Sequence, residues 1–143
     1  MTATRKTLGE KFETVRLEVI EKNKAGKGQD AIVLLENAWK DLPGNKYDYD
    51  ESFIIVWYIL HICIEIHDVE TMNKWVDKVF LASPTRTDGG EREMWAGRVA
   101  YESGEKEKAI DYFRIAYKKS KGRVFGDKDK IYKTFLIENG LTS

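Results

Sequence analysis

Residues 90–121 read GEREMWAGRVAYESGEKEKAIDYFRIAYKKSK, and this stretch decides the fold. Two runs with helical periodicity meet at Ser103-Gly104, where glycine permits the left-handed stop of a helix. Gly97 and Ala100 on the first run, with Ala109 and Ala116 on the second, are small enough for two helices to approach closely. Phe113 is large and fills the space toward a neighbouring element. The first helix is expected to run to about Ser103, with Asp88 and Glu91 at capping-box spacing before it. The second is expected from about Lys106 to Ser120.

The rest of the chain continues in the same manner. A helix from about Thr7 to Lys24 carries Leu8, Phe12, Val15 and Val19 on one face, and Ala25-Gly26-Lys27-Gly28 breaks it. A second, from about Gln29 to Asp41, carries Ile32, Leu35, Ala38, Trp39 and Leu42 and ends at Pro43-Gly44. Asn45 to Ser52 reads as a polar loop. Phe53 to Ile66 has the β-branched and aromatic residues of a strand, but it is long for one and no second strand-like run exists to pair with it. Being apolar nearly all round, it reads as a buried helix. Asp68 is an N-cap residue before a helix carrying Met72, Trp75, Val76, Val79 and Phe80, closed by Ser83-Pro84. Asp127 is placed to cap a last helix with Ile131, Tyr132, Phe135 and Leu136, ended by Gly140.

Paired helices joined by short turns suggest an internal repeat. Gly97, Ala100, Gly104, Ala109, Phe113 and Ala116 fall on the eighth, eleventh, fifteenth, twentieth, twenty-fourth and twenty-seventh positions of the tetratricopeptide repeat. Over Phe12 to Asn45 the same spacing finds Gly26, Ala31, Leu35, Ala38 and Pro43. Over Phe53 to Thr85 it finds Leu60, Met72, Val76 and Pro84, with His67 in the place of the turn glycine. From Phe12 to about Lys121 the chain resembles the tetratricopeptide-repeat family. Glu93 departs from the pattern by standing where a large residue is usual, and Trp95 is displaced. The spacings are also uneven, 41 residues from Ala31 to Met72 and 37 from there to Ala109. The resemblance implies an all-α superhelix of three hairpins (about 12–45, 53–85 and 90–121) with a C-terminal capping helix at about 127–139, in one domain over residues 1–143. A single hairpin cannot bury its apolar faces, whereas three and a cap can.

Composition agrees with such a domain. Hydrophobic residues make up 42% and charged residues 34% of the 143, and only two are proline. Bases and acids balance at 24 each but are unevenly placed. From Glu36 to Glu70 the net charge is −6, and from Arg114 to Lys133 it is +6. Cys63 is the only cysteine, so no internal disulfide forms. Met1 to Glu10 lacks the apolar core of a signal peptide, and Phe53 to Ile66 falls short of the ~20 residues of a spanning helix. The expected location is the cytoplasm, with no membrane association.

Motifs for chemistry are scarce. There is no HExxH, no dinucleotide glycine fingerprint and no cysteine pair. Gly26-Lys27-Gly28-Gln29 lacks the hydroxyl residue of a P-loop. Asp48, Asp50 and Ser52 begin like a calcium loop, but Phe53 and Ile59 replace its glycine and bidentate glutamate. His61 with Glu65, and Cys63 with His67, are pairs four residues apart. Two ligands make a weak metal site, and no third group orients a nucleophile. The expectation is therefore no enzyme, no catalytic residue, no metal and no cofactor. Lys118-Lys119-Ser120-Lys121-Gly122-Arg123, between Tyr117 and Phe125, offers phosphate contact and stacking. The neutral total and the matching acidic region argue against a dedicated nucleic-acid binder.

The resemblance implies instead a protein or peptide partner in a concave groove lined by the first helix of each hairpin. The groove positions are Glu13, Arg16, Ile20, Asn23 and Lys24 in the first unit, Ile54, Trp57, His61, Ile64 and Glu65 in the second, and Glu91, Met94, Arg98, Tyr101 and Glu102 in the third; the partner-binding residues expected among them are Arg16, Asn23, Trp57, His61, Glu65, Met94, Arg98 and Tyr101. The chaperone-tail clamp of some members is not matched, because Ile20, Tyr58, Glu91 and Trp95 stand at clamp positions. An alternative is an immunity or inhibitor protein that neutralises a toxin, such as a basic nuclease, through the acidic region Pro43 to Glu70. The expected assembly is a monomer or a weak dimer.

Overall fold

A computed structural model describes residues 8–82 and 89–141. These residues are helical and contain no β-strand. They fall into two compact units, Met1–Ala82 and Ser83–Ser143.

In the first unit, α1 (Glu10–Lys24) packs on α2 (Gly28–Lys40), and α2 packs on α3 (Glu51–Ile66). Gly9, at φ 58°, sets the start of α1, three residues later than Thr7, which lies outside the described residues. Phe12 and Val19 from α1 and Ala31, Ile32, Leu35 and Trp39 from α2 are buried. The ambiguous run is a helix. Ile55, Val56, Ile59, Leu60, Ile62 and Cys63 are all at most 1% exposed, so α3 lies at the centre of its unit. Burial on several faces is what removes the amphipathic signature and leaves the sequence strand-like.

The helix read after Asp68 is broken. It forms α4 (Val69–Trp75) and α5 (Lys78–Ala82), separated at Val76-Asp77. Here the backbone tightens, with the Val79 and Phe80 amides donating to Val76 and Asp77 three residues back. Val76 and Asp77 are both weak helix formers, and no proline or glycine marks the break. The Ser83-Pro84 closure lies outside the described residues.

The loop after α2 is pinned rather than free. The Lys46 ammonium donates to the carbonyls of Trp39, Lys40 and Leu42 at 3.0, 2.9 and 3.0 Å, placing a cation on the carbonyl end of α2. Tyr49 is buried, and its hydroxyl donates to the Pro43 carbonyl at 3.2 Å. Ser52 donates to the Lys46 carbonyl and already belongs to α3.

In the second unit, α6 (Glu91–Glu102) packs on α7 (Lys106–Ser120), and α7 on α8 (Lys130–Asn139). The small residues act as expected: a Cβ on Gly97 would lie 2.5 Å from the Phe113 ring. Phe113, Ala109 and Ala116 are fully buried with Met94, Tyr132 and Leu136 in one core. Asp88 lies outside the described residues, and α6 is preceded by Gly90 at φ 81°. Asp127 opens a 3-10 turn (Asp127–Asp129) rather than capping α8 directly. Gly140 ends α8, and Arg114 donates to the carbonyls of Asn139 and Gly140 there.

Three inter-helix turns share one geometry. At Gly26, His67 and Gly104 the chain is left-handed, with φ 77°, 58° and 83°. The next residue's amide donates back five residues at 2.9 Å each time: Lys27 to Lys22, Asp68 to Cys63, Glu105 to Ala100. That same residue's carbonyl then accepts the first bond of the following helix, from Ala31, Met72 and Ala109. The positions matched by spacing in the sequence are therefore equivalent in backbone, including the turn where histidine replaces glycine.

Candidate protein-binding surface

Within the first unit, side chains of α1 and α3 form one chain of contacts. Arg16 Nε donates to Glu13 Oε2 at 2.9 Å, an i, i+3 pair along α1. The Tyr58 hydroxyl of α3 lies against the same guanidinium. Glu13 first and Tyr58 second hold the Arg16 pKa above its ordinary value, and Arg16 in turn holds the Glu13 carboxyl below its own. Tyr58 meets Trp57 edge to face at 5.1 Å. Trp57 stacks flat on His61, with ring centroids 5.2 Å apart and planes 3° from parallel. His61 Nε2 is 3.0 Å from Glu65 Oε1.

The helix period explains this row. Trp57, His61 and Glu65 are four apart and so rise along one face of α3. That face is open to solvent: Trp57 is 36% exposed and Ile54, one turn earlier, 38%. Of the expected site residues, Arg16, Trp57, His61 and Glu65 are joined here. Asn23 is half-buried further along α1 and is not part of this row. Glu13, a groove position of the first unit, joins this row, and so does Tyr58, which lies outside the groove positions. The opposite charges of Glu13 and Arg16 three residues apart were the signal available for one of them.

The three candidates on α6 make contacts within their own unit. Met94 is fully buried in the core beneath α6 and α7 and has no surface for a partner. Arg98 Nη2 bonds both Asp129 oxygens at 3.0 and 3.1 Å, Nε adds a bond at 3.2 Å, and the guanidinium lies 4.6 Å from the Trp95 ring. Tyr101 packs edge-on against Tyr132 and Phe135, with the Lys106 ammonium 3.4 Å above its ring. A groove position at the rim of a small core serves packing, because the core has few other residues to close it.

The remaining chemical candidates are also accounted for locally. Cys63 is fully buried, and burial first, then Asp68 and Glu36, push its thiol up to about 12. It stays protonated at neutral pH and is a poor nucleophile. In the basic stretch, Phe125 is buried, Tyr117 packs against the same core, and Lys119 pairs with Glu93 at 3.2 Å. Arg123 Nε donates to the Ser120 carbonyl. Phe125 is thus held in the core, and Tyr117 is partly buried against it. In the acidic stretch, Glu36 accepts from Trp75, Glu51 from the Leu8 amide, and Asp68 from Gln29 and Thr71. Among the described residues no helix is long and apolar enough to cross a membrane.

No family model, no curated protein and no solved structure matches the chain.

Proposed function

We propose that this chain is a non-catalytic protein-interaction module built of tetratricopeptide-like helix hairpins, and that it engages a partner protein through the α1–α3 surface around Trp57. The observation that carries the reading is the half-exposed Trp57–His61 stack on a solvent-facing helix row. Tryptophan is costly to leave in water and is among the residues that dominate binding energy at interfaces. The fixed neighbours Tyr58, Arg16 and Glu65 hold it in place, so little side-chain entropy remains to be lost on association. The equivalent turns of the three hairpins support the repeat reading, and solenoid repeats present their helix rows as binding surfaces.

The test is affinity capture with the full chain as bait, from lysate of its own organism, read by mass spectrometry beside Trp57→Ala. One dominant protein that disappears with the variant supports the module and identifies the partner. A dominant protein retained by the variant moves the interaction to another face. Absence of any specific protein in both lanes counts against an interaction module.

A further inference from the structure

A helix that closes a stack of hairpins is expected to turn a polar face to solvent. α8 departs from this. Tyr132 and Leu136 are buried in the core of its unit, while on the opposite side Ile131 is 67% and Ile137 55% exposed. Lys130, Thr134 and Glu138 are exposed with them. At 3.6 residues per turn, all five lie within about 60° of Thr134 around the helix. An open groove of about 330 Å³ runs beside this face, with Tyr101 and Phe135 in its wall.

The face is arranged symmetrically about Thr134. Lys130 and Glu138 stand four residues to either side of it, and Ile131 and Ile137 three residues to either side. Two copies of α8 laid antiparallel about a two-fold axis at Thr134 therefore match at every position. Ile131 of each meets Ile137 of the other, and Lys130 of each meets Glu138 of the other, so each pairing occurs twice. Threonine on the axis is small enough for the helices to approach closely. Within one helix Lys130 and Glu138 are about 12 Å apart and do not reach each other. A parallel arrangement would set lysine against lysine and glutamate against glutamate, so the charges select the antiparallel one.

We propose that a second copy of this chain docks on α8 and forms an antiparallel two-fold dimer, with Ile131 and Ile137 at its centre and Lys130–Glu138 pairs at both ends. The isoleucines supply the attraction, and the charges fix direction and register. A ten-residue helix against its copy is a small contact beside the about 1,200–2,000 Å² of a stable interface, so the dimer is weak and forms as concentration rises.

The experiment is sedimentation equilibrium of the full-length protein from micromolar to millimolar concentration, with amide NMR spectra over the same range. Lys130→Glu and Glu138→Lys are made singly. Both change exposed side chains, and each new charge suits its end of the helix dipole, so the fold is expected to persist, as thermal melts verify. The parent is expected to dimerise, with concentration-dependent shifts confined to α8 and the wall of the groove. Each single variant sets like charges opposite one another twice and should weaken the dimer about tenfold. Mixed in equal amounts, the two variants restore every pair and should associate with each other as the parent does with itself. Ile131→Ser should also weaken the dimer about tenfold with the charges left in place. A parent that stays monomeric at millimolar concentration overturns the proposal. Association that survives in all the variants, or that moves resonances elsewhere instead, overturns it and places self-association on another surface. Loss in the single variants without recovery in the mixture overturns the antiparallel register. A different protein captured by the parent and lost with Ile131→Ser, while the parent remains monomeric, overturns the second copy as the occupant. None of these outcomes depends on the α1–α3 surface, which Trp57→Ala tests by itself.

Discussion

Arg98 of α6 and Asp129 at the foot of α8 are joined by three hydrogen bonds across 31 residues of sequence, with the guanidinium 17% and the carboxylate 11% exposed. The carboxylate also accepts from the Gly126 amide at 3.0 Å, so the pair fixes the turn that launches α8. Removing one partner leaves a largely buried charge unpaired. Arg98→Ala and Asp129→Ala are each expected to destabilise the protein by about 2–3 kcal/mol, somewhat less than a fully buried pair costs. The double variant should lose less than the sum. Urea denaturation around this cycle measures it, and strict additivity would sink the idea.

His67 holds the left-handed conformation that Gly26 and Gly104 hold in the equivalent turns. A side chain there costs on the order of 1 kcal/mol. His67→Gly should therefore stabilise the protein by about 0.5–1 kcal/mol, after allowing for glycine's greater freedom in the unfolded chain. A rise in Tm supports this, and a fall would show that the histidine side chain contributes more than its backbone costs.

Gly97 packs against the Phe113 ring, while Gly104 has open space around it but a positive φ. Gly97→Ala should cost about 1–3 kcal/mol through overpacking, because a ring that is fully buried has no room to retreat. Gly104→Ala should cost about 1 kcal/mol through backbone strain alone. Only the first should disturb the Phe113 ring signals by NMR.

Asp68 caps α4 by accepting from the Thr71 amide at 3.1 Å and hydroxyl at 2.7 Å, and from Gln29 at 3.0 Å. Gln29 first and Thr71 next hold its carboxyl below the ordinary value of 3.8. A depressed pKa gives stability that is fully present above the unfolded value and is lost as pH falls through the folded one. Asp68→Ala should cost about 1 kcal/mol at neutral pH. The gap between variant and parent should narrow in acid, below about pH 4, in denaturation run across pH.

Cys63 should resist alkylation in the native protein and react readily in denaturant, since its thiol is both buried and held protonated. Labelling at neutral pH with and without urea, followed by mass spectrometry, checks this. Fast native labelling would mean that α3 opens locally.

Much of this was readable in the residues. α7 runs from Lys106 to Ser120 as its periodicity predicts, because its apolar stripe and flanking turns agree. α3 was legible by elimination: a long apolar run without a partner strand. The break at Val76-Asp77 was not, since it is a change of hydrogen-bond register with no glycine or proline to announce it. Part of the candidate surface was visible in the four-residue spacing of Trp57, His61 and Glu65. Arg98 and Met94 show why residue type alone does not place a side chain at a surface. Residue type gives the preference for interfaces, but a rim arginine facing Asp129 and a methionine over Phe113 satisfy the interior of a small unit just as well. Only the distant partner decides between the two, and no local pattern contains it.

The shared turn has a consequence for how the hairpins relate to one another. The same left-handed step and five-residue-back bond are made by glycine twice and by histidine once. The joints are therefore interchangeable parts. Exchanging Ala25–Lys27 with the residues at 66–68 should leave each hairpin closed, because what the turns share is a pair of torsion angles rather than a letter. Such a joint can change its residues and still turn the chain in the same way.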